Sequence, residues 1–228
     1  MVKVKRVPSG IPGLDNLLDG GIPKNHAVLV SGGYGCGKTI MCSQYIWEGL
    51  QNGERCLFIS LEEHVEDIKF DARVLGWEFD QYEENGQLDI TYLSPDRPEI
   101  GFLDEINELV AESYDRIAID TVSVMLGEQA DTQAHRRKSM YALYNNLKRA
   151  GATTLITAEI DEEEGHTSRY GVAEYVSDGV IVLYNTGVSE ESFRNIEIRK
   201  MRSSSYVPGT HPFSITDAGI EVDSSSGF

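Results

Sequence analysis

Cysteine is scarce in this sequence, and the little there is does not pair: Cys36, Cys42 and Cys56 are an odd number without any CxxC spacing. That excludes a disulfide framework and offers no zinc-ligand set, and His64, His135, His166 and His211 show no metal-ligand spacing either. Long apolar runs are also missing. No stretch approaches eighteen consecutive apolar residues, and the opening Met1-Val2-Lys3-Val4-Lys5-Arg6 lacks the apolar centre of a signal peptide, so no membrane insertion and a cytoplasmic location are expected. Positive charge is the third shortage. Lys and Arg number 20 against 37 Asp and Glu, a formal net charge of −17 whose field repels nucleic acid and anionic membranes. The acids are spread along the chain as a solvated surface rather than gathered in a tail. No repeat, low-complexity tract or linker divides the 228 residues, so one domain is expected.

Short runs rich in Val, Ile and Leu alternate with longer helix-like stretches, the pattern of βαβ units around a mostly parallel sheet. Strands are expected at His26 to Ser31, Arg55 to Ser60, Gln87 to Leu93, Arg116 to Asp120, Thr153 to Ala158 and Gly179 to Tyr184. Helices are expected at Lys38 to Gln51, His64 to Leu75, Phe102 to Glu112 and Gln133 to Ala150. Past residue 180 the spacing changes, and Ser192 to Met201 with His211 to Thr216 predict a closing antiparallel segment. Asp161 to Gly165 reads as a charged loop, and residues 223–228 as a frayed tail.

The chemistry is concentrated in Gly32-Gly33-Tyr34-Gly35-Cys36-Gly37-Lys38-Thr39, which satisfies GxxxxGK[ST] between an expected strand and an expected helix. Glycines 32, 33, 35 and 37 let the backbone curl so that successive amides, with those of Cys36 and Ile40, point toward a bound polyphosphate, and the helix N-terminus adds its dipole. Lys38 is placed to neutralise the β and γ phosphates, and the Thr39 hydroxyl to ligate Mg²⁺. A second metal-side acid is expected at the end of a neighbouring apolar strand, and Arg116-Ile117-Ala118-Ile119-Asp120 supplies Asp120. Thr121 follows it rather than Glu, so the base that activates water must come from elsewhere. Glu62 and Glu63, just beyond another strand, are the candidate pair; the competing reading makes them the acidic first turn of the next helix.

With these parts in order, the chain resembles the KaiC family of RecA-type ATPases. The resemblance runs from Ser9-Gly10-Ile11-Pro12-Gly13-Leu14-Asp15 and Gly20-Gly21-Ile22-Pro23 through the phosphate loop and Glu62-Glu63. It continues in Leu147 to Thr154, Ser168-Arg169-Tyr170-Gly171-Val172, Val176-Ser177-Asp178, Lys200-Met201-Arg202 and Pro212 to Asp217. It implies a RecA-like fold and a homohexameric ring with ATP bound between subunits. It also implies that Lys200 and Arg202 reach the γ-phosphate held by the neighbouring subunit. From the residues alone, Arg199 to Arg202 reads more readily as a solvated strand end, and it is the resemblance that reverses this. Where the family usually has His after the Lys-x-Arg cluster, this chain has Tyr206, which puts base or ribose contacts there in doubt and leaves Ser204 for a polar contact. Glu174-Tyr175-Val176-Ser177-Asp178 lacks the adjacent Ser and Thr that the family's self-phosphorylating domain carries, so autokinase activity is disfavoured.

The expected function is therefore Mg²⁺-dependent ATP hydrolysis by a ring that signals its nucleotide state to a protein partner. Two other classes stay open. A DNA-recombination accessory ATPase needs a basic, aromatic-interleaved loop that is not evident here, and nucleic acid is not an expected partner. A non-hydrolysing assembly module, like the archaeal motility-motor component, would bind ATP tightly without turnover.

Overall fold

A computed structural model describes residues 4–94, 101–128, 132–160, 168, 170–187 and 192–225. The expected loop at 161–165, His166, Arg169 and the last three residues lie outside them.

Six strands run parallel: β3 (Ala27–Gly32), β4 (Cys56–Ser60), β5 (Leu88–Tyr92), β6 (Arg116–Asp120), β7 (Thr153–Glu159) and β8 (Gly179–Gly187). Three more, β9 (Ser192–Met201), β10 (Thr210–Thr216) and β11 (Gly219–Val222), extend the sheet antiparallel, giving the order β11-β10-β9-β8-β3-β7-β6-β4-β5. Two short strands, β1 (Arg6–Val7) and β2 (Ile22–Pro23), pair separately. The helices are α1 (Leu14–Leu17), α2 (Lys38–Gln51), α3 (Val65–Val74), α4 (Phe79–Glu84), α5 (Phe102–Val110), α6 (Val122–Glu128), α7 (Gln133–Ala150) and α8 (Ala173–Val176). The mostly parallel α/β class and the antiparallel close are thus as the pattern predicts. Among the described residues no helix is long and apolar enough to cross a membrane.

Both faces of the parallel strands are buried because alternate side chains enter two cores. Val28, Val30, Cys56, Phe58 and Leu155 pack on the α1–α4 side, with Ile46, Ile68 and Phe79. Leu29, Leu57, Ile59, Ile117 and Ile156 pack on the α5–α8 side, with Ile106, Met125, Leu143 and Val176. Both tryptophans belong to the first side: Trp77 is buried in the core, and Trp47 packs against it beside Phe79 and Tyr82. Strand β7 lies between β3 and β6, so the carboxyl ends of three strands converge on one edge of the sheet. Strand β9 carries an irregularity: Ile198 pairs with Ile181 but Lys200 with Val180, which leaves Arg199 as an extra residue. The bulge reverses the alternation. Ile196, Ile198 and Met201 enter the α1–α4 core, and Lys200 and Arg202 turn to the other face.

Candidate nucleotide site

Strand β3 ends at Gly32, and the chain curls through Gly35 (φ 64°) and Gly37 (φ 101°) before α2 begins, with Gly37 as its N-cap. Those left-handed angles suit glycine alone without strain. Gly32 is required for a different reason: a Cβ there would stand 2.6 Å from the carbonyl oxygen of Leu183 and press on the Cys36 sulfur. Gly32→Ala is therefore expected to weaken ATP binding by about tenfold or more, read by calorimetry, because overpacking of this kind costs about 1–3 kcal/mol.

Lys38 donates from Nζ to the carbonyls of Gly32 (3.1 Å) and Gly33 (2.9 Å), which folds its ammonium over its own loop. The Thr39 hydroxyl donates to Asp120 Oδ2 at 2.7 Å. Asp120 is nearly buried at the end of β6, and its other oxygen accepts from the Thr157 hydroxyl of β7. A carboxylate and a hydroxyl that already meet are hard oxygen donors of the kind Mg²⁺ takes, one or two from protein and the rest from phosphate and water. Among the described residues no three or more His, Cys, Asp or Glu cluster as a metal site of their own. Cys36 is fully buried, and burial raises its thiol pKa, so its side chain is a packing group rather than an accessible nucleophile. Tyr34, 82% exposed, and the half-buried Ile40 flank the loop.

Glu62 and Glu63 lie directly beyond β4, whose last residue Ser60 pairs with Asp120. They are not in the first turn of α3, which starts at Val65 and draws its acids from Glu66 and Asp67. A separate turn holds them: the Ser60 hydroxyl donates to the Glu63 carbonyl (2.6 Å) and accepts from the Glu63 amide (3.0 Å). Partial removal from water, then the charge of Asp120, pushes both carboxyl pKa values up; Glu159 adds to this for Glu62, and Asp71 and Glu62 itself for Glu63.

Lys200, Arg202, Ser204 and Tyr206 stand elsewhere. The Arg202 amide donates to Asp178 O and the Asp178 amide to Ala27 O, which puts Arg202 level with the first residue of β3. The phosphate loop follows the last residue of that strand, so about 16 Å of strand separates them. Ser204 accepts from Arg6 (2.8 Å) and donates to the Ser205 carbonyl (2.8 Å), and the Tyr206 hydroxyl donates to Arg199 O (3.1 Å). Within one chain the candidate residues thus form two groups at opposite edges of the sheet.

A family model described as "ATPase: KaiC" matches residues 7–227. The chain belongs to the KaiC ATPase family. It is 36% identical to the circadian clock oscillator protein KaiC of Synechococcus elongatus over 96% of this chain but 44% of that protein, so it spans less than half of the clock protein's length. Against the UPF0273 protein of Thermotoga maritima it is 35% identical, covering 98% of each. Its fold superposes on the crystal structure of a KaiC-like protein from Pyrococcus horikoshii with a TM-score of 0.85, 35% identity and 97% coverage. Membership supports ATPase activity in general and, with it, nucleotide binding.

Two residues of this KaiC-family site escaped the sequence reading. Thr157 is one of several threonines in an apolar strand, and only the β6–β7 pairing aims it at Asp120. Arg194 pairs with Asn185, two residues beyond the Leu183 that packs on Gly32, and shares the sheet face that carries α2. Its charge acts on Cys36 in the loop, and its Nε is buried without a hydrogen-bond partner. A basic residue six positions before Lys200 was the only available signal.

Proposed function

We propose that this chain is a single-domain, Mg²⁺-dependent ATPase that works as a homo-oligomeric ring, each site being completed by Lys200 and Arg202 of the adjacent copy. One observation carries the reading: the basic pair lies at the sheet edge opposite the phosphate loop, too far to serve the nucleotide of its own chain. Lys38 and the loop amides of Gly33, Gly35, Cys36, Gly37, Thr39 and Ile40 bind the phosphates, with Arg194 adding a cation from the same subunit. Thr39 and Asp120 would hold a magnesium ion, which supplies charge neutralisation on the phosphate oxygens. The Glu62-Glu63 pair orients the attacking water and accepts its proton. The neighbour's Arg202 and Lys200 stabilise charge on the transferring phosphoryl group and make turnover depend on assembly. Ser204 and Tyr206, on the same edge as Arg202, offer polar groups to the neighbour's nucleotide. The net negative charge and the sequence similarity to a clock oscillator protein favour a protein partner over nucleic acid as the receiver of the nucleotide state.

Mixing two defective variants tests this. Lys38→Ala subunits lose their own ATP site and Arg202→Ala subunits lose the donated cation, each with turnover reduced on the order of 10³-fold. Co-assembled, they recover a substantial part of wild-type turnover if Arg202 serves the neighbouring site. No recovery in mixed oligomers of verified composition refutes the reading, as does a wild-type ring that binds ATP without hydrolysing it.

A further inference from the structure

Resting on that reading, we infer that Asp178 is the positioning residue for Arg202, the anchor that holds the donated guanidinium ready for the neighbouring subunit's phosphate. The segment Ala173 to Asp178 grips the end of β9 at four points. Lys200 donates from Nζ to the carbonyls of Glu174 (3.1 Å) and Ser177 (2.5 Å), which lie at the end of α8. The Arg202 amide donates to the Asp178 carbonyl at 2.8 Å, and the Arg202 guanidinium lies 3.5 Å from Asp178 Oδ1. Asp178 itself is 2% exposed and cannot swing away. Its Oδ2 accepts from the Ala27 amide (3.2 Å) and its Oδ1 from Lys148 (2.8 Å). His26 completes the ring of groups, with Nε2 3.0 Å from the Arg202 carbonyl.

The geometry suits a hold-and-hand-over role rather than a closed ion pair. Half of the Arg202 side chain is open to solvent, and the contact to Asp178 is longer than the one made by Lys148. Nη1 of the guanidinium is therefore drawn toward Asp178 while its remaining N–H groups stay free to donate forward. An arginine side chain carries large rotamer entropy, and tethering it beforehand lowers the cost of ordering it when the phosphate arrives. Burial alone would push the Asp178 pKa up, but Lys148, the Ala27 amide and the nearby His26 more than reverse this, so the anchor stays ionised at neutral pH.

The test is steady-state hydrolysis of Mg-ATP by assembled protein bearing Asp178→Asn, which keeps an acceptor for the Ala27 amide but removes the charge. The expected result is a kcat lowered about tenfold to a hundredfold, with KM for ATP and oligomer size unchanged, because the phosphate loop of each chain is untouched. In mixed oligomers the loss follows the neighbour of the variant subunit. A kcat within threefold of wild type, or a loss expressed in KM, overturns the assignment. Should Asp178→Asn fail to fold, Lys148→Met decides: the proposal expects kcat lowered about threefold to tenfold with KM unchanged, since Asp178 loses a group that holds it in place and keeps it ionised, and an unchanged kcat or a loss expressed in KM overturns it. If Arg202→Ala itself leaves kcat unchanged, it is the trans-activation reading that fails, and the two failures are thereby separated.

Discussion

Replacing both Glu62 and Glu63 by Gln is expected to lower kcat by about 10²-fold or more while ATP still binds, the range associated with loss of a positioned general base. Single-turnover hydrolysis beside equilibrium ATP binding checks it; loss of binding together with turnover would instead make the pair part of the nucleotide cradle. Stability should move the other way. Each carboxyl has a folded-state pKa above its unfolded value, so it binds protons more readily in the folded chain and detracts from stability as pH rises past that range. The double variant of the metal- and nucleotide-free protein should therefore melt slightly above wild type at pH 7, a small gain because Glu62 is exposed and its charge is screened by solvent. The gain should vanish below about pH 3, where the groups are protonated in both states. A higher Tm at pH 7 with lost turnover is the usual signature of a strained functional site.

The second large effect concerns Arg116, fully buried at the opposite end of the strand that carries Asp120. Its Nε pairs with Glu54, its Nη1 donates to Pro8 O (2.8 Å) and Tyr45 O (3.0 Å), and its guanidinium lies 4.6 Å from the Tyr45 ring centroid. Glu54→Ala leaves that guanidinium without its counter-charge. Breaking one partner of a buried pair costs about 3–5 kcal/mol, and the partial exposure of Glu54 brings the expectation to about 2–3 kcal/mol. For a chain of this size that is about 5–10 °C in Tm, measured by calorimetry. Turnover at temperatures well below the melt should be nearly unchanged. A Tm within a degree of wild type would mean that the two carbonyls and the Tyr45 ring satisfy the charge by themselves.

Much of the fold is legible in the sequence because local signals agree with the tertiary outcome. Helices α2 and α7 begin and end where the periodicity and the flanking Gly37, Thr132 and Gly151 place them, and β6 spans the apolar run that precedes Asp120. The short elements were not legible. Four-residue α1, α8 and β11 carry too few residues for a period to show, and Val122–Glu128 follows β6 so closely that its apolar residues merge with the strand.

For the site, the sequence by itself determined the phosphate loop, because glycine spacing, Lys38 and Thr39 encode a local backbone shape that needs no distant partner. It also determined that carboxylates follow two apolar strands. Only the tertiary structure decided that Glu62 and Glu63 sit in a Ser60-bound turn next to Asp120, since that depends on the pairing of β4 with β6. It likewise decided where the basic pair points. Strict alternation from Ile196 and Ile198 would have carried Lys200 and Arg202 into the α1–α4 core; the extra residue at Arg199 turns them out toward Asp178 and α8. A one-residue bulge leaves no mark in the sequence, because its cause is the register against strand β8 and not the residue types within β9.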